Sequence, residues 1–200
     1  MPEDTRTTYV VLLRGVNVGG KNRLPMAEFS GLLTALGAAD VRTFIQSGNA
    51  VFRAAELDAA RAASVWADAI RVGLAERCGL DVPVVILTAA ELRALADDDP
   101  FAGEGLPENA LSIGFLSTLP SQDAVRALDP DRSPGDRFAV RGRAIHLVCP
   151  YGVAKTKLTN AWFDRQLGVV STFRNLRTVA ALVAMTENGR VRTEDGEGSD

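Results

Sequence analysis

The chain has 200 residues, a net charge of −3, and 46% hydrophobic against 24% charged residues. That is the composition of one large globular domain or two small ones, and it excludes a disordered or collagen-like body. A single histidine, His146, excludes sites built on two or three histidine ligands, and the distant pair Cys78 and Cys149 excludes a zinc knuckle or a disulfide framework, so neither metal nor cofactor is expected.

At the start, Met1-Pro-Glu-Asp4 has neither a basic nor an apolar signal region. No apolar run approaches the ~20 residues a bilayer span needs. The expectation is a cytoplasmic protein with no membrane partner. Residues 9–13, Tyr-Val-Val-Leu-Leu, form a short apolar run suited to a buried strand. A glycine-rich loop follows, and Pro25 suits the first position of a helix carrying Met26, Phe29, Leu32, Leu33 and Leu36 at helical spacing. Residues 41–46 and 50–53 read as strands joined by the turn Ser47-Gly48-Asn49. A helix from about Asp58 to Arg77 places Trp66, Ile70 and Leu74 on one face, and a strand over 82–87 comes next. Thr88 and Glu91 then form the signature of a capping box on a short helix reaching Leu95.

That order is β-α-β-β-α-β plus one helix, the split βαβ or ferredoxin-like plan. The second half reads the same way. A strand spans 110–116, a helix capped by Ser121 runs to Leu128, and strands at 138–141 and 144–148 flank Gly142. A helix covers about 158–167, a strand 169–173, and a last helix 176–185. The expected fold is therefore α+β, with two tandem ferredoxin-like (βαββαβ) halves at 1–96 and 109–186, each followed by an extra helix. Residues 97–108, polar and turn-rich, are the expected linker, and 187–200 an acidic, frayed tail.

Gly15-Val-Asn-Val-Gly-Gly-Lys-Asn22 has the G-x₄-G-K spacing of a phosphate loop, but Asn22 stands where Ser or Thr would hold magnesium, and the helix starts too late. What survives is an anion-binding concavity of backbone N–H groups flanked by Arg14 and Lys21. Lysine usage sharpens that reading. Of 22 basic residues only Lys21, Lys155 and Lys157 are lysines, and all three lie in the two glycine-containing loops. The second loop, Pro150-Tyr-Gly-Val-Ala-Lys-Thr-Lys-Leu158, opens a stretch that is basic as far as Arg177, with Asp164 its one acid. His146, mid-strand in an apolar run, reads as a core histidine, and both cysteines read as small hydrophobes.

Residues 11–22, 44–52, 155–160 and Thr172-Phe-Arg-Asn175 closely resemble the bacterial DUF1697 family, over the chain up to about Met185. Ala50 replaces a more usual valine. The resemblance implies an α+β fold of two ferredoxin-like halves and carries no established activity. The residues themselves suggest one cleft between the halves, where both loops bind a small phosphorylated or carboxylated ligand. Arg14, Lys21, Lys155, Lys157 and Arg174 would neutralise its charge. Asn17, Asn22, Gln46, Asn49, Asn160, Asn175 and Thr172 would orient it, with Gly19 and Gly20 lending backbone N–H groups. Any chemistry would rest on lysine and arginine electrostatics or a desolvated lysine, since no paired acid and base is evident. An alternative is RNA binding through Tyr9, Phe44 and Phe52 on the sheet, against which stand the acidic charge and the missing RNA-recognition pattern. A scaffold or regulatory protein without a small ligand is the third reading.

Overall fold

The computed structural model describes residues 6–55 and 59–187. The amino-terminal Met1-Pro-Glu-Asp4, the expected helix start at Asp58 and the tail from 188 onward lie outside the described residues. The first half comprises β1 (Arg6–Leu13), α1 (Met26–Ala35), β2 (Ala39–Phe44), β3 (Asn49–Ala55), α2 (Ala59–Cys78), β4 (Val84–Thr88) and α3 (Ala89–Asp97). The second comprises β5 (Leu111–Leu116), α4 (Gln122–Arg126), β6 (Arg137–Arg141), β7 (Ala144–Val148), α5 (Asn160–Leu167), β8 (Ser171–Asn175) and α6 (Leu176–Glu187). The fold is α+β, with two four-stranded antiparallel sheets ordered β2-β3-β1-β4 and β6-β7-β5-β8.

β1 explains the layering. Its apolar run is buried on both faces, so the usual alternation of a half-exposed strand is absent. Tyr9, Val11 and Leu13 point into a cluster closed by Phe29, Leu32 and Leu33 of α1 and by Trp66, Ile70 and Leu74 of α2. Val10 and Leu12 point the other way, into a cluster shared with Leu92 of α3, Ile113 and Phe115 of β5, and Val179 and Leu182 of α6. The far face of the second sheet packs Ile145 and Leu147 against Trp162, Phe163 and Leu167 of α5. Each such side chain contributes about 1.5–3 kcal/mol when fully buried. The central layer of α3 and α6 thus lies between two sheets and belongs to both halves.

Several boundaries differ from the sequence reading. Pro25 precedes α1 in extended conformation, not inside it. β2 begins at Ala39, with a register shift between Ala39 and Arg42 where Asp40 takes a φ of 52°. The turn between β2 and β3 occupies residues 45–48, so Asn49 is a buried strand residue and Gln46 lies in the turn. β8 starts and ends two residues later than expected, which brings Arg174 and Asn175 into the strand. Gly48 is required where it stands. Its φ is +70°, and a Cβ there would lie 2.6 Å from Val16 Cγ2 and 2.7 Å from Leu13 Cβ.

Candidate functional site

Beside the two loops, a pair of arginines crosses the seam between the halves. Arg14 follows β1, where its N–H donates to the Pro83 carbonyl at 3.0 Å. Its guanidinium crosses to the second half, with Nη1 2.6 Å from Asp164 Oδ2 on α5 and 2.8 Å from the Ser171 carbonyl on β8. The other oxygen of Asp164 accepts from the Ser171 N–H at 2.8 Å and its hydroxyl at 2.6 Å. Ser171 Oγ also lies 3.1 Å from Asn160 Oδ1, on the first residue of α5. Arg174 reaches back the other way. It donates to Asn49 Oδ1 (2.6 Å), the Leu13 carbonyl (2.6 Å), Thr172 Oγ1 and the Phe173 carbonyl (both 2.8 Å). Desolvation pulls its pKa down to about 10, which leaves it protonated at neutral pH.

The first loop folds on itself. Asn17 N–H donates to the Asn22 carbonyl and Lys21 N–H to the Val18 carbonyl, a miniature hairpin turned by Gly19 and Gly20, both at positive φ. The backbone thus closes a tight turn with N–H groups the concavity reading had left for an anion. Asn17 and Asn22 bond to backbone: the Asn17 amide clasps both backbone groups of Leu24 and donates to the Gln46 carbonyl, and Asn22 donates to the Gly15 carbonyl. The Asn17–Gln46 bond ties this loop to the β2–β3 turn.

The second loop is anchored differently. The Lys157 N–H donates to Ser133 Oγ at 3.1 Å, whose hydroxyl donates to Asp136 at 2.6 Å. Thr159 caps α5 through the Trp162 N–H. Asn175 caps α6, accepting from the Thr178 N–H at 2.8 Å.

The expected ligand residues therefore divide into two groups. Arg14, Asn17, Asn22, Asn49, Asn160, Thr172, Arg174 and Asn175 are bonded within the protein, and the structure gives them a framework position. Lys21, Gln46, Lys155 and Lys157 are exposed, and no side-chain hydrogen bond or ion pair engages them among the described residues. Asp164 and Ser171 were missed. The signal for Asp164 was present, since a lone acid in a basic stretch is the natural partner of an incoming arginine; Ser171 gave none.

With this geometry in place, residues 6–146 match the family described as "Protein of unknown function (DUF1697)". The chain is a DUF1697 protein. The match stops at His146, short of the expected Met185, so Lys155, Lys157 and the α5–α6 region of this DUF1697 chain lie beyond it. No curated protein matches the chain. Its structure is similar to that of the conserved bacterial protein SP0830 from Streptococcus pneumoniae, with a TM-score of 0.65 and 22% identity, covering 90% of this chain and 98% of that one. That likeness concerns the fold.

Of the remaining reactive groups of the DUF1697 protein, Cys149 and His146 are buried and Cys78 is partly buried. Burial raises the thiol pKa of both Cys78 and Cys149, which keeps them protonated and poorly nucleophilic. His146 is buried, with Nδ1 3.7 Å from Asp99 Oδ1 and Nε2 without a hydrogen-bond partner. Among the described residues no group of three or more His, Cys, Asp or Glu side chains is placed to hold a metal, and no helix is long and apolar enough to cross a membrane. A cavity of about 630 Å³ lies between the halves, and none of the expected ligand residues lines it.

Proposed function

We propose that this DUF1697 protein is a cytoplasmic binder of a small phosphate- or carboxylate-bearing ligand, held where the two lysine-bearing loops leave the inter-half seam. We read each half as ferredoxin-like, with boundaries near 1–96 and 109–186; numbered within each half, the strand order 4-1-3-2 supports this. The observation that carries the binding reading concerns the loop roots. Arg14, at the root of the first loop, is joined through Ser171 to Asn160, the first residue of α5, two positions after the second loop. In this reading the three lysines of the chain, all exposed, would flank that one seam.

In this reading Lys21, Lys155 and Lys157 supply mobile point charges, Gln46 an amide and the Gly19–Gly20 turn backbone donors. Arg14 and Arg174, with their asparagine and threonine partners, hold the loops in place. Of the three aromatics on which RNA stacking would depend, Tyr9 and Phe52 are buried under α1 and α2 and Phe44 is partly buried against the shared cluster, which weighs against the RNA reading.

The test is thermal stabilisation by inorganic phosphate, nucleotides and sugar phosphates in wild type, Lys21→Ala and Lys155→Ala. The expected outcome is a saturable, salt-sensitive stabilisation, with apparent affinity about tenfold weaker in each variant, equivalent to about 1.4 kcal/mol. Equal shifts in all three proteins would overturn the proposal.

A further inference from the structure

We infer that the cavity between α2 and the second half is a separate binding site for a small zwitterion with an apolar body. Its walls come from both halves: Ala63 and Ala67 of α2, Val84 and Ile86 of β4, and Leu119 and Val170 of the second half. At about 630 Å³ it falls within the ~300–1,000 Å³ of small-molecule sites, which favour domain interfaces and apolar walls with few polar groups. Leu119 is 64% exposed at this wall, an apolar surface that an apolar occupant would cover.

The charges along the lining narrow the occupant. Arg143 has four of its five N–H donors engaged, on Glu91 Oε1 (2.9 Å) and on the carbonyls of Ile86 (3.0 Å), Leu116 (3.0 Å) and Ser117 (2.9 Å). It stiffens the wall, and Glu91 already balances its charge. Asp68 and Arg71 differ. Both are exposed lining residues one turn apart on α2, and no ion pair joins either to another group among the described residues. Side chains at this spacing stand about 5–6 Å apart at Cβ. A purely anionic head would meet Arg71 but be repelled by Asp68, and a purely cationic head would meet the reverse. A head carrying ammonium and carboxylate together satisfies both, through charge-assisted hydrogen bonds. A free apolar amino acid and a short apolar peptide share this chemistry.

Isothermal titration calorimetry on the full chain tests the inference, with phenylalanine, tryptophan and leucyl-leucine as zwitterions and phenylpropionate and phenethylamine as singly charged controls. Expected is saturable binding of at least one zwitterion, with either control at least tenfold weaker. The dipeptide against the free amino acids separates the two sources. Arg71→Ala and Asp68→Ala should each weaken binding at least tenfold, and Ala67→Phe should abolish it by filling the cavity. Should Ala67→Phe fail to fold, the two exposed-site variants decide alone. Lys21→Ala and Lys155→Ala should bind the zwitterion as wild type does, which keeps this result independent of the anion site. Equal binding of a singly charged control, unaltered binding in Arg71→Ala, or no saturable heat with any zwitterion at millimolar concentration would overturn the inference.

Discussion

Arg174 directs its guanidinium at two carbonyls, a hydroxyl and an amide oxygen on both sides of the seam, although a basic residue after a basic loop reads from the sequence as a ligand contact. A planar fork suits this bonding in a way an ammonium does not. His146 is the reverse case: its apolar surroundings identify it as a core residue, and the structure buries it. Desolvation lowers its pKa below the ordinary 6.5, with Arg141 adding to the effect while Asp99 and Asp98 oppose it. The folded state thus favours the neutral ring, so its contribution to stability is fully present above the unfolded-state pKa and is lost as pH falls from there through the lower folded-state pKa. Because no other histidine titrates there, the urea midpoint of the wild type should fall between about pH 7.5 and 5.5, and His146→Leu should flatten that decline. Identical slopes for the two proteins would count against this account.

At the scale of elements, what the sequence showed depended on how local the signal was. Thr88-x-x-Glu91 announces a capping box, and the structure forms it, with Glu91 N–H on Thr88 Oγ1 at 3.1 Å and Thr88 N–H on Glu91 Oε2 at 2.8 Å. Sequence alone could not show that Glu91 Oε1 also pairs with Arg143 from the other half. Thr88→Ala should therefore cost about 1 kcal/mol, an ordinary lost cap. Glu91→Ala should cost more, because it also strips a largely buried guanidinium of its carboxylate. Urea melts of both variants would rank them, and the opposite order would show that the Arg143 pair is unimportant. The β2–β3 turn was placed two residues late because Ile45, a β-branched residue, adopts a φ of 49° that sequence preference disfavours. That offset hid Asn49 as a buried partner of Arg174. The glycine loop was legible as a loop, but its hairpin form follows from backbone pairing across Asn17 and Asn22.

For the whole molecule, the tandem order of elements was legible, while the docking of one half on the other was not, because it rests on contacts such as Arg174 with Leu13 and Asn49, 161 and 125 residues apart. α6 packs on β1 and β3 as well as on β5 and β8, and one apolar cluster draws on both halves. The chain should accordingly unfold in a single calorimetric transition, with van't Hoff and calorimetric enthalpies equal. Two resolved transitions would mean that the halves melt as independent units. The same docking has a reciprocal form at the sheet borders. β4 and β8 are outermost strands, and each has a carbonyl, Ile86 or Ser171, capped by an arginine from the opposite half, Arg143 or Arg14. Unpaired strand borders are where one copy of a protein templates onto another. With one carbonyl on each of these two borders taken up by an arginine of the same chain, the docking should leave them less open to pairing with another copy.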